Sequence, residues 1–142
     1  MLRSLLYVST STLSLPHDGW QVDEIVKFSR RFNAMANITG ALMFTETNFA
    51  QFLEGPGEHV YALLEKISGD TRHANIDVIM ERETELRLFP DWSMAYSGPH
   101  LFVAGQFSAF AMPSGQGERD RAAQHLIETM AVLVRGAGPN YH

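Results

Sequence analysis

The chain has 142 residues and a formal net charge of −5, with 45% hydrophobic residues, 19% charged residues and no cysteine. These values predict one globular domain without disulfides, thiolate nucleophiles or a cysteine-bound cofactor, and the six histidines lack the paired spacing typical of a metal site. No Lys/Arg run suits nucleic acid, and neither a roughly 18-residue apolar run nor a signal-peptide pattern is present, so we expect a cytoplasmic protein away from membranes.

The first half of the chain predicts three strands and one helix. Residues 2–9 are typical of a strand, and residues 21–36 carry apolar side chains on one helical stripe, ending near Asn37. Residues 40–45 and 49–54 predict two further strands joined by a short polar turn, as in a β-hairpin.

The next segment predicts a second helix and two more strands. Pro56 suits the first turn of a helix that ends at Gly69. The apolar stripe of this helix consists of Val60, Leu63, Leu64 and Ile67. Residues 76–80 and 92–96 predict the fourth and fifth strands. The order βαββαββ indicates an α+β, ferredoxin-like sandwich with both helices on one sheet face.

The remainder predicts a helical extension of the same compact unit. We assign residues 1–97 to the domain and residues 98–142 to a C-terminal extension whose helix spans 118–135. The apolar stripe of that helix runs from Ala123 to Val134. It can pack on the sheet face opposite the other helices, or on a partner.

Several polar residues fall on faces that should be buried. Strand alternation places Gln51 on the same face as Phe49 and Leu53, and a buried amide left without partners costs about 1–3 kcal/mol per group. Asn33 lies near the centre of the first helix's apolar stripe, with Ser29 close to it. Each of these positions therefore requires a polar partner.

Taken singly, such residues have ordinary interpretations. Asn33 can be a satisfied core residue, Tyr7 a half-buried strand tyrosine, and Lys66 with Asp70 a solvated surface pair. Taken together, Tyr7, Asn33 and Gln51 come from three elements that this fold can bring between helices and sheet. A phenol and two amides without an evident nucleophile suit a flat heteroaromatic ligand and do not suit hydrolysis.

Five short motifs, in this order and spacing, resemble one known family. They are Leu6-Tyr7-Val8-Ser9, Ser29-Arg30-Arg31-Phe32-Asn33 followed by Ile38-Thr39-Gly40, Phe49-Ala50-Gln51-Phe52-Leu53-Glu54-Gly55, Asp70-Thr71-Arg72-His73, and Phe89-Pro90-Asp91-Trp92-Ser93-Met94. Over about residues 2–97 the chain resembles the BLUF family, blue-light sensors that use a flavin. It departs from the family pattern at Phe32, where many members have asparagine, and at Asn37, where glycine is usual.

The resemblance implies a noncovalent flavin, FAD or else FMN, and roles for individual residues. Tyr7 is implied as the photoactive tyrosine and Gln51 as the switching glutamine. The implied cofactor-binding set is Tyr7, Ser29, Asn33, Gln51, Lys66, Asp70 and His73. Trp92 and Met94 are implied to pass the signal on.

The resemblance also implies a sensor and not an enzyme. Its output would be a light-dependent contact with a downstream protein that the sequence does not identify, and homo-oligomerisation stays open. The alternative is a ferredoxin-like sensor of a small ligand without photochemistry. Enzyme alternatives lack support, because neither an anion-cradling loop for an acylphosphatase-like hydrolase nor the Gly-x-Gly-x-x-Gly fingerprint of a nicotinamide site is present.

Overall fold

The computed structural model describes residues 2–13, 19–44, 48–90, 95–97 and 115–136. In chain order the elements are β1 (Leu2–Ser11), α1 (Gly19–Met35), β2 (Thr39–Phe44), β3 (Asn48–Pro56), α2 (Gly57–Ser68), β4 (His73–Thr84), β5 (Ala95–Ser97) and α3 (Gln116–Gly136). The predicted βαββαββ order is confirmed, and so is the helix after it. No helix in the described ranges combines the length and the apolar character needed to span a bilayer.

Within the described residues, the strands form one sheet in the order β4-β1-β3-β2-β5. β1 pairs antiparallel with β3 and with β4, β2 pairs antiparallel with β3, and β5 joins β2 in parallel. The first four strands thus have the ferredoxin-like arrangement that the sequence predicts. Tyr7 on β1 lies directly opposite Gln51 on β3 in this register.

The sheet has two apolar faces because successive strand residues point to opposite sides. One face packs against the first two helices, and we call it the α1/α2 face. Its buried cluster comprises Leu5, Tyr7, Leu42, Phe49 and Leu53 from strands, Val26 from α1, Val60 and Leu63 from α2, and Ile38. Both predicted helices therefore lie on the same side of the sheet.

The opposite face, which we call the α3 face, is covered by the last helix. Its buried cluster includes Leu6, Val8, Ala41, Met43, Ala50, Phe52 and Ile79 from strands, Phe89 from the β4–β5 connection, and Ala123, Leu126, Ile127 and Met130 from α3. Of the two sequence alternatives for the α3 stripe, the structure shows packing within the chain.

The observed ends of β4 and β5 differ from the bounds predicted from the sequence. β4 extends from His73 to Thr84, well beyond the predicted 76–80, because its second half is an edge strand whose charged side chains face solvent. There Glu81 lies 3.7 Å from the Arg3 guanidinium of β1. β5 begins at Ala95, and residues 91–94 and 45–47 lie outside the described ranges, so the predicted β2–β3 turn is described only from Asn48 onward.

The helix ends show two local features. Asn37 adopts φ 59°, and the N–H of Ile38 donates to the carbonyl oxygen of Asn33 at 2.8 Å, which is the six-to-one bond of a Schellman ending. Asn37 thus fills the left-handed position where the family usually has glycine. Pro56 is not in the first helical turn as predicted. It ends β3 and occupies the N-cap position of α2, where its fixed φ of −56° still suits the chain direction.

Gly40 allows β2 to lie against β3. A Cβ atom at this position would lie only 1.9 Å from the carbonyl oxygen of Phe52. A side chain here would force the two strand backbones apart. Since β3 carries residues of both faces, the close approach at Gly40 supports the whole sheet.

Candidate functional site

A cavity of about 440 Å³ lies between α1, α2 and the α1/α2 face of the sheet. Its volume falls in the range of roughly 300–1,000 Å³ that is usual for small-molecule sites. Apolar side chains such as Ile25, Leu42 and Leu63 form much of the wall, and a few polar groups interrupt it. This combination is typical of a site that holds a ligand with a flat apolar body and polar edges.

Tyr7 and Gln51 form the polar centre of the cavity wall. They are cross-strand partners on β1 and β3, each 3% exposed, and the Tyr7 hydroxyl donates to Oε1 of Gln51 at 2.5 Å. Because Oε1 accepts this bond, the amide presents its two N–H donors in another direction. Of the three polar residues that the fold was expected to bring together, Tyr7 and Gln51 are in contact and both line the cavity.

The environment of Tyr7 keeps its phenol protonated. Burial raises the pKa of Tyr7 above its ordinary value, and the negative charge of Asp70 acts in the same direction. The hydroxyl is consequently a hydrogen-bond donor at every physiological pH. The interpretation of Tyr7 as a half-buried strand residue with its hydroxyl in water is wrong.

α1 contributes two buried polar residues to the site region. Ser29 lines the cavity and is 8% exposed, whereas Asn33, one turn further along, is fully buried and is not among the lining residues. Within the described part of the chain, the Oδ1 atom of Asn33 accepts no hydrogen bond, although the residue makes other contacts. A buried acceptor of this kind is consistent with a nearby ligand that offers a donor.

Charged residues lie at the α2 end of the cavity, and their pairing differs from the expectation. Asp70 makes a two-point ion pair with Arg72, with 2.6 Å between Nη2 and Oδ2, so the surface pair with Lys66 is wrong. These bonds lower the pKa of Asp70 below its ordinary value. Lys66 instead places Nζ 5.4 Å from the centre of the Phe32 ring.

His73 lines the cavity with its ring, but both ring nitrogens bond to the protein. Nε2 lies 2.8 Å from the carbonyl oxygen of Ile67, so it carries the proton, and Nδ1 lies 2.8 Å from Oγ of Ser9. The ring also meets Tyr7 and Phe49 edge-on, with centroid distances of 6.1 Å to each. His73 therefore forms part of the wall beside Tyr7, and a polar contact from it to a ligand would require these bonds to open.

Two residues important to the site were not predicted as site residues. Arg72 lines the cavity and holds Asp70, and Phe28 of α1 lines it from the open side with half of its surface exposed. Arg72 could have been found from its place next to His73 in the motif. For Phe28 no sequence signal existed, because it lies off the apolar stripe of α1. Trp92 and Met94 lie outside the described residues.

The geometry of the cavity indicates a ligand-binding site. The cavity has a hydrogen-bonded phenol and amide in its wall, and its charged lining residues are two cations, Lys66 and Arg72, and two carboxylates, Glu65 and Asp70. Among the described residues that line it, no serine–histidine–carboxylate constellation is assembled. This arrangement can accommodate a flat heteroaromatic ligand with polar edges. The polar edge of a flavin, which alternates donors and acceptors, fits this arrangement.

The chain belongs to the BLUF family, described as sensors of blue light using FAD, whose family model matches residues 2–95. The chain resembles the blue light- and temperature-regulated antirepressor BluF of Escherichia coli K12, at 37% identity over 76 residues. It also resembles the photoactivated adenylate cyclase subunit beta of Euglena gracilis, at 31% identity over 94 residues.

These curated relatives are much longer proteins. The matches cover 54% and 66% of this chain but only 18% and 11% of the two relatives, so the chain spans less than a fifth of either. Solved structures of similar size also match. The photo-activated state of BlsA has a TM-score of 0.76 at 25% identity, covering 93% of this chain and 96% of that one. The dark state of the BLUF protein BlrB has a TM-score of 0.76 at 28% identity, covering 92% and 96%.

Proposed function

We propose that this chain is a blue-light photoreceptor that holds a flavin noncovalently in the cavity beneath α1 and α2. The observation that supports this most strongly is the buried hydrogen bond from Tyr7 to Gln51 in the cavity wall. FAD, the cofactor in the family's description, is the proposed ligand, and FMN is the alternative. The chain has no cysteine, so the protein cannot form a thiol adduct with the cofactor.

Each polar group around the cavity has a proposed part in holding the flavin. The amide of Gln51 and the side chains of Asn33 and Ser29 would bond to the polar edge of the ring system. Lys66 and Arg72 line the cavity and would bind the phosphate groups of the flavin's side chain, with Asp70 fixing the position of Arg72. His73 would support the ring of Tyr7 and not bond to the ligand.

The proposed photochemistry begins at Tyr7. The bound flavin supplies a ring that, once excited by blue light, can accept an electron and a proton. Tyr7 supplies the electron, and loss of an electron makes a phenol strongly acidic. Its proton therefore moves along the existing hydrogen bond toward Oε1 of Gln51. The burial that keeps the phenol protonated in the dark makes this proton available only after excitation.

The lasting change is proposed to occur in the Gln51 amide. After the electron and proton return to Tyr7, the amide is left rotated or tautomerised, so that it presents a different group to the flavin edge. Either rearrangement exchanges a donor for an acceptor in the cavity wall. The new hydrogen bond shifts the absorption to the red, and the original arrangement returns in the dark.

We propose that the signal leaves by a change of protein contacts and not by catalysis. A conformational change can bias a partner only if the partner binds the two states differently. Trp92 and Met94 remain the proposed relay from Gln51 to β5. The output is proposed to be a contact with a downstream protein in the cytoplasm or with a second copy of the chain. The name of the E. coli relative, an antirepressor, supports output through binding.

An absorption spectrum before and after blue light tests the proposal. The full chain reconstituted with FAD should show a flavin band that shifts to the red and returns in darkness. Tyr7→Phe should bind FAD but show no red-shifted product, because the electron and proton donor is lost. Tyr61→Phe is the matched control, since that hydroxyl is exposed on α2 and bonds to Glu81. A Tyr7→Phe protein with a normal photocycle would contradict the assignment.

A further inference from the structure

Glu54 is a fully buried carboxylate on the α3 face of the sheet, where it takes no part in the proposed photochemistry. It follows Gln51 by three residues on β3 and therefore points to the opposite side of the strand. Its side chain is 0% exposed. Burying a charge is costly unless strong hydrogen bonds compensate it, so its partners indicate why it is there.

The partners of the Glu54 carboxylate are two successive backbone amides of the β4–β5 connection and, more weakly, the hydroxyl of Thr39, which donates to Oε2 at 3.5 Å. Oε1 accepts from the N–H of Leu88 at 2.9 Å, and Oε2 accepts from the N–H of Phe89 at 2.7 Å. Hydrogen bonds to an ionised acceptor are about twice as strong as bonds between neutral groups. The carboxylate therefore fixes the backbone of this connection at two points, 34 and 35 residues away along the chain.

Arg87 completes the attachment from the other side. Its guanidinium donates to the carbonyl oxygen of Glu54 at 3.1 Å, to Oγ1 of Thr39 at 2.8 Å and to the carbonyl oxygen of Asn37 at 2.8 Å. The connection is thus bound to β2, to β3 and to the turn after α1. The positive charge of Arg87 also acts to lower the pKa of the buried carboxylate.

The attached segment places Phe89 in the core of the α3 face. Phe89 is 1% exposed, and its ring meets that of Phe52 edge-on at a centroid distance of 5.7 Å. The same buried cluster contains Leu126 and Met130 of α3. A shift of this segment would therefore alter the surface on which α3 packs.

We infer that Glu54 is a positioning residue for signal output, which ties the β4–β5 connection and Phe89 to the strand that carries Gln51. This inference rests on the proposed function, because the attachment can transmit a signal only if the Gln51 amide rearranges in the light. β3 passes from Gln51 to Phe52 to Glu54 within one rigid element. A displacement of the strand by the amide is carried to Leu88 and Phe89 through the two carboxylate bonds, and from Phe89 to α3.

The attachment itself is tested in the dark by amide NMR on the full chain. In Glu54→Gln, one of the two accepting oxygens becomes a donor, so we expect the amides of Leu88 and Phe89 to exchange with solvent at least about tenfold faster. Glu85→Gln is the matched control, an exposed carboxylate in the same connection that should leave both rates unchanged.

A pH titration distinguishes a charge-dependent attachment from a purely steric role. Burial raises the pKa of Glu54, although its amide bonds and Arg87 act in the opposite direction. In the unaltered chain the amide proton shifts of Leu88 and Phe89 should titrate together, with a midpoint above the ordinary glutamate value of 4.5. They should be flat in Glu54→Gln. Because it uses the unaltered chain, this titration tests the charge dependence of the attachment even if the variant folds poorly.

The coupling is tested by repeating the exchange measurement on the FAD-loaded chain under blue light. We expect light to change the exchange rate of the Phe89 amide by at least about twofold, and Glu54→Gln to lose this change while it keeps the red shift.

Unchanged dark rates in the variant together with flat titrations in the unaltered chain would overturn the attachment. An undiminished light response in the variant would overturn the coupling. A chain that binds FAD without a red shift would instead overturn the proposed function, and the light-dependent part of this inference with it, while the dark measurements still decide the attachment.

Discussion

The two faces of the sheet use the same strands for opposite purposes. The α1/α2 face leaves a cavity of about 440 Å³ in which polar groups converge, whereas the other face is covered by α3 and holds an apolar cluster beside the buried Glu54. On β1, Tyr7 points to the cavity and its neighbours Leu6 and Val8 point to the α3 face. Adjacent residues of one strand therefore contact opposite faces, so a displacement of the strand on one face also displaces side chains on the other.

The largest expected loss of stability comes from a substitution that disrupts both faces of the sheet. Gly40→Ala places a methyl group 1.9 Å from the carbonyl oxygen of Phe52, which forces β2 away from β3. We expect a loss of about 3–5 kcal/mol in the free energy of unfolding, or failure to fold, as measured by chemical denaturation. Gly69→Ala is the control, because its added Cβ would meet only the Lys66 carbonyl oxygen, at an ordinary 3.6 Å. Equal effects at the two glycines would contradict the close-approach argument.

A substitution in α3 should affect one face only. Leu126→Ala empties a fully buried position of the α3 face, and we expect it to cost about 2–4 kcal/mol of unfolding free energy. The size of the blue-light red shift should stay the same, because the cavity wall is on the other side. Val132→Ala, at a position that is 70% exposed, should change stability by less than about 0.5 kcal/mol. A lost red shift in Leu126→Ala would show that the cavity depends on α3.

The two faces should also respond oppositely to pH, through one carboxylate each. The hydrogen bonds from Arg72 lower the pKa of Asp70 below 3.8, so its contribution to stability is present above that pH and is lost as the pH falls through the folded value. The pKa of Glu54 is raised above 4.5, so its relative contribution is greatest below that pH and declines as the pH rises through the folded value.

Denaturation of the flavin-free chain from about pH 3 to pH 7 measures this contrast. The stability difference between the unaltered chain and Asp70→Asn should grow with rising pH. The difference between the unaltered chain and Glu54→Gln should shift in the opposite direction. Two differences with the same sign of slope would show that at least one of the carboxylates has a different environment from the one described.

The smallest expected effect lies at the turn between α1 and β2, which serves both faces. Asn37→Gly should stabilise the chain by about 0.5 kcal/mol, because glycine adopts the observed φ of 59° without a Cβ penalty. Ala34→Gly, an exposed position inside α1, should instead cost about 1 kcal/mol. Thermal unfolding of both variants measures the contrast. A destabilised Asn37→Gly would indicate that the asparagine side chain itself stabilises this turn.

Residues whose environment follows from local periodicity could be predicted from sequence. The period of two in β3 correctly placed Gln51 on a buried face, and the helical period of α1 did the same for Ser29 and Asn33. The same alternation placed Glu54 among the apolar residues of the other face. A buried carboxylate at this position can therefore be predicted from the alternation alone, whereas its partners cannot.

Contacts between distant segments could not be predicted in this way. Nothing in local periodicity shows that Asp70 pairs with Arg72 and not with Lys66, because the choice depends on how the chain turns after α2. The partners of Glu54 are equally remote in sequence. The second half of β4 was missed because an edge strand exposed to solvent has no apolar alternation to reveal it.

The direct cross-strand pairing of Tyr7 with Gln51 has a consequence for engineering. Opposed residues in an antiparallel ladder keep their Cβ atoms roughly 4.5–5.5 Å apart through backbone geometry alone. The separation of the Tyr7 and Gln51 Cβ atoms is consequently independent of how α1 and α2 are packed. In the proposed photoreceptor, substitutions in those two helices should therefore change the choice of ligand without changing this separation. Redesign of the ligand site can begin in the helices, while the strand pairing preserves the Tyr7–Gln51 geometry.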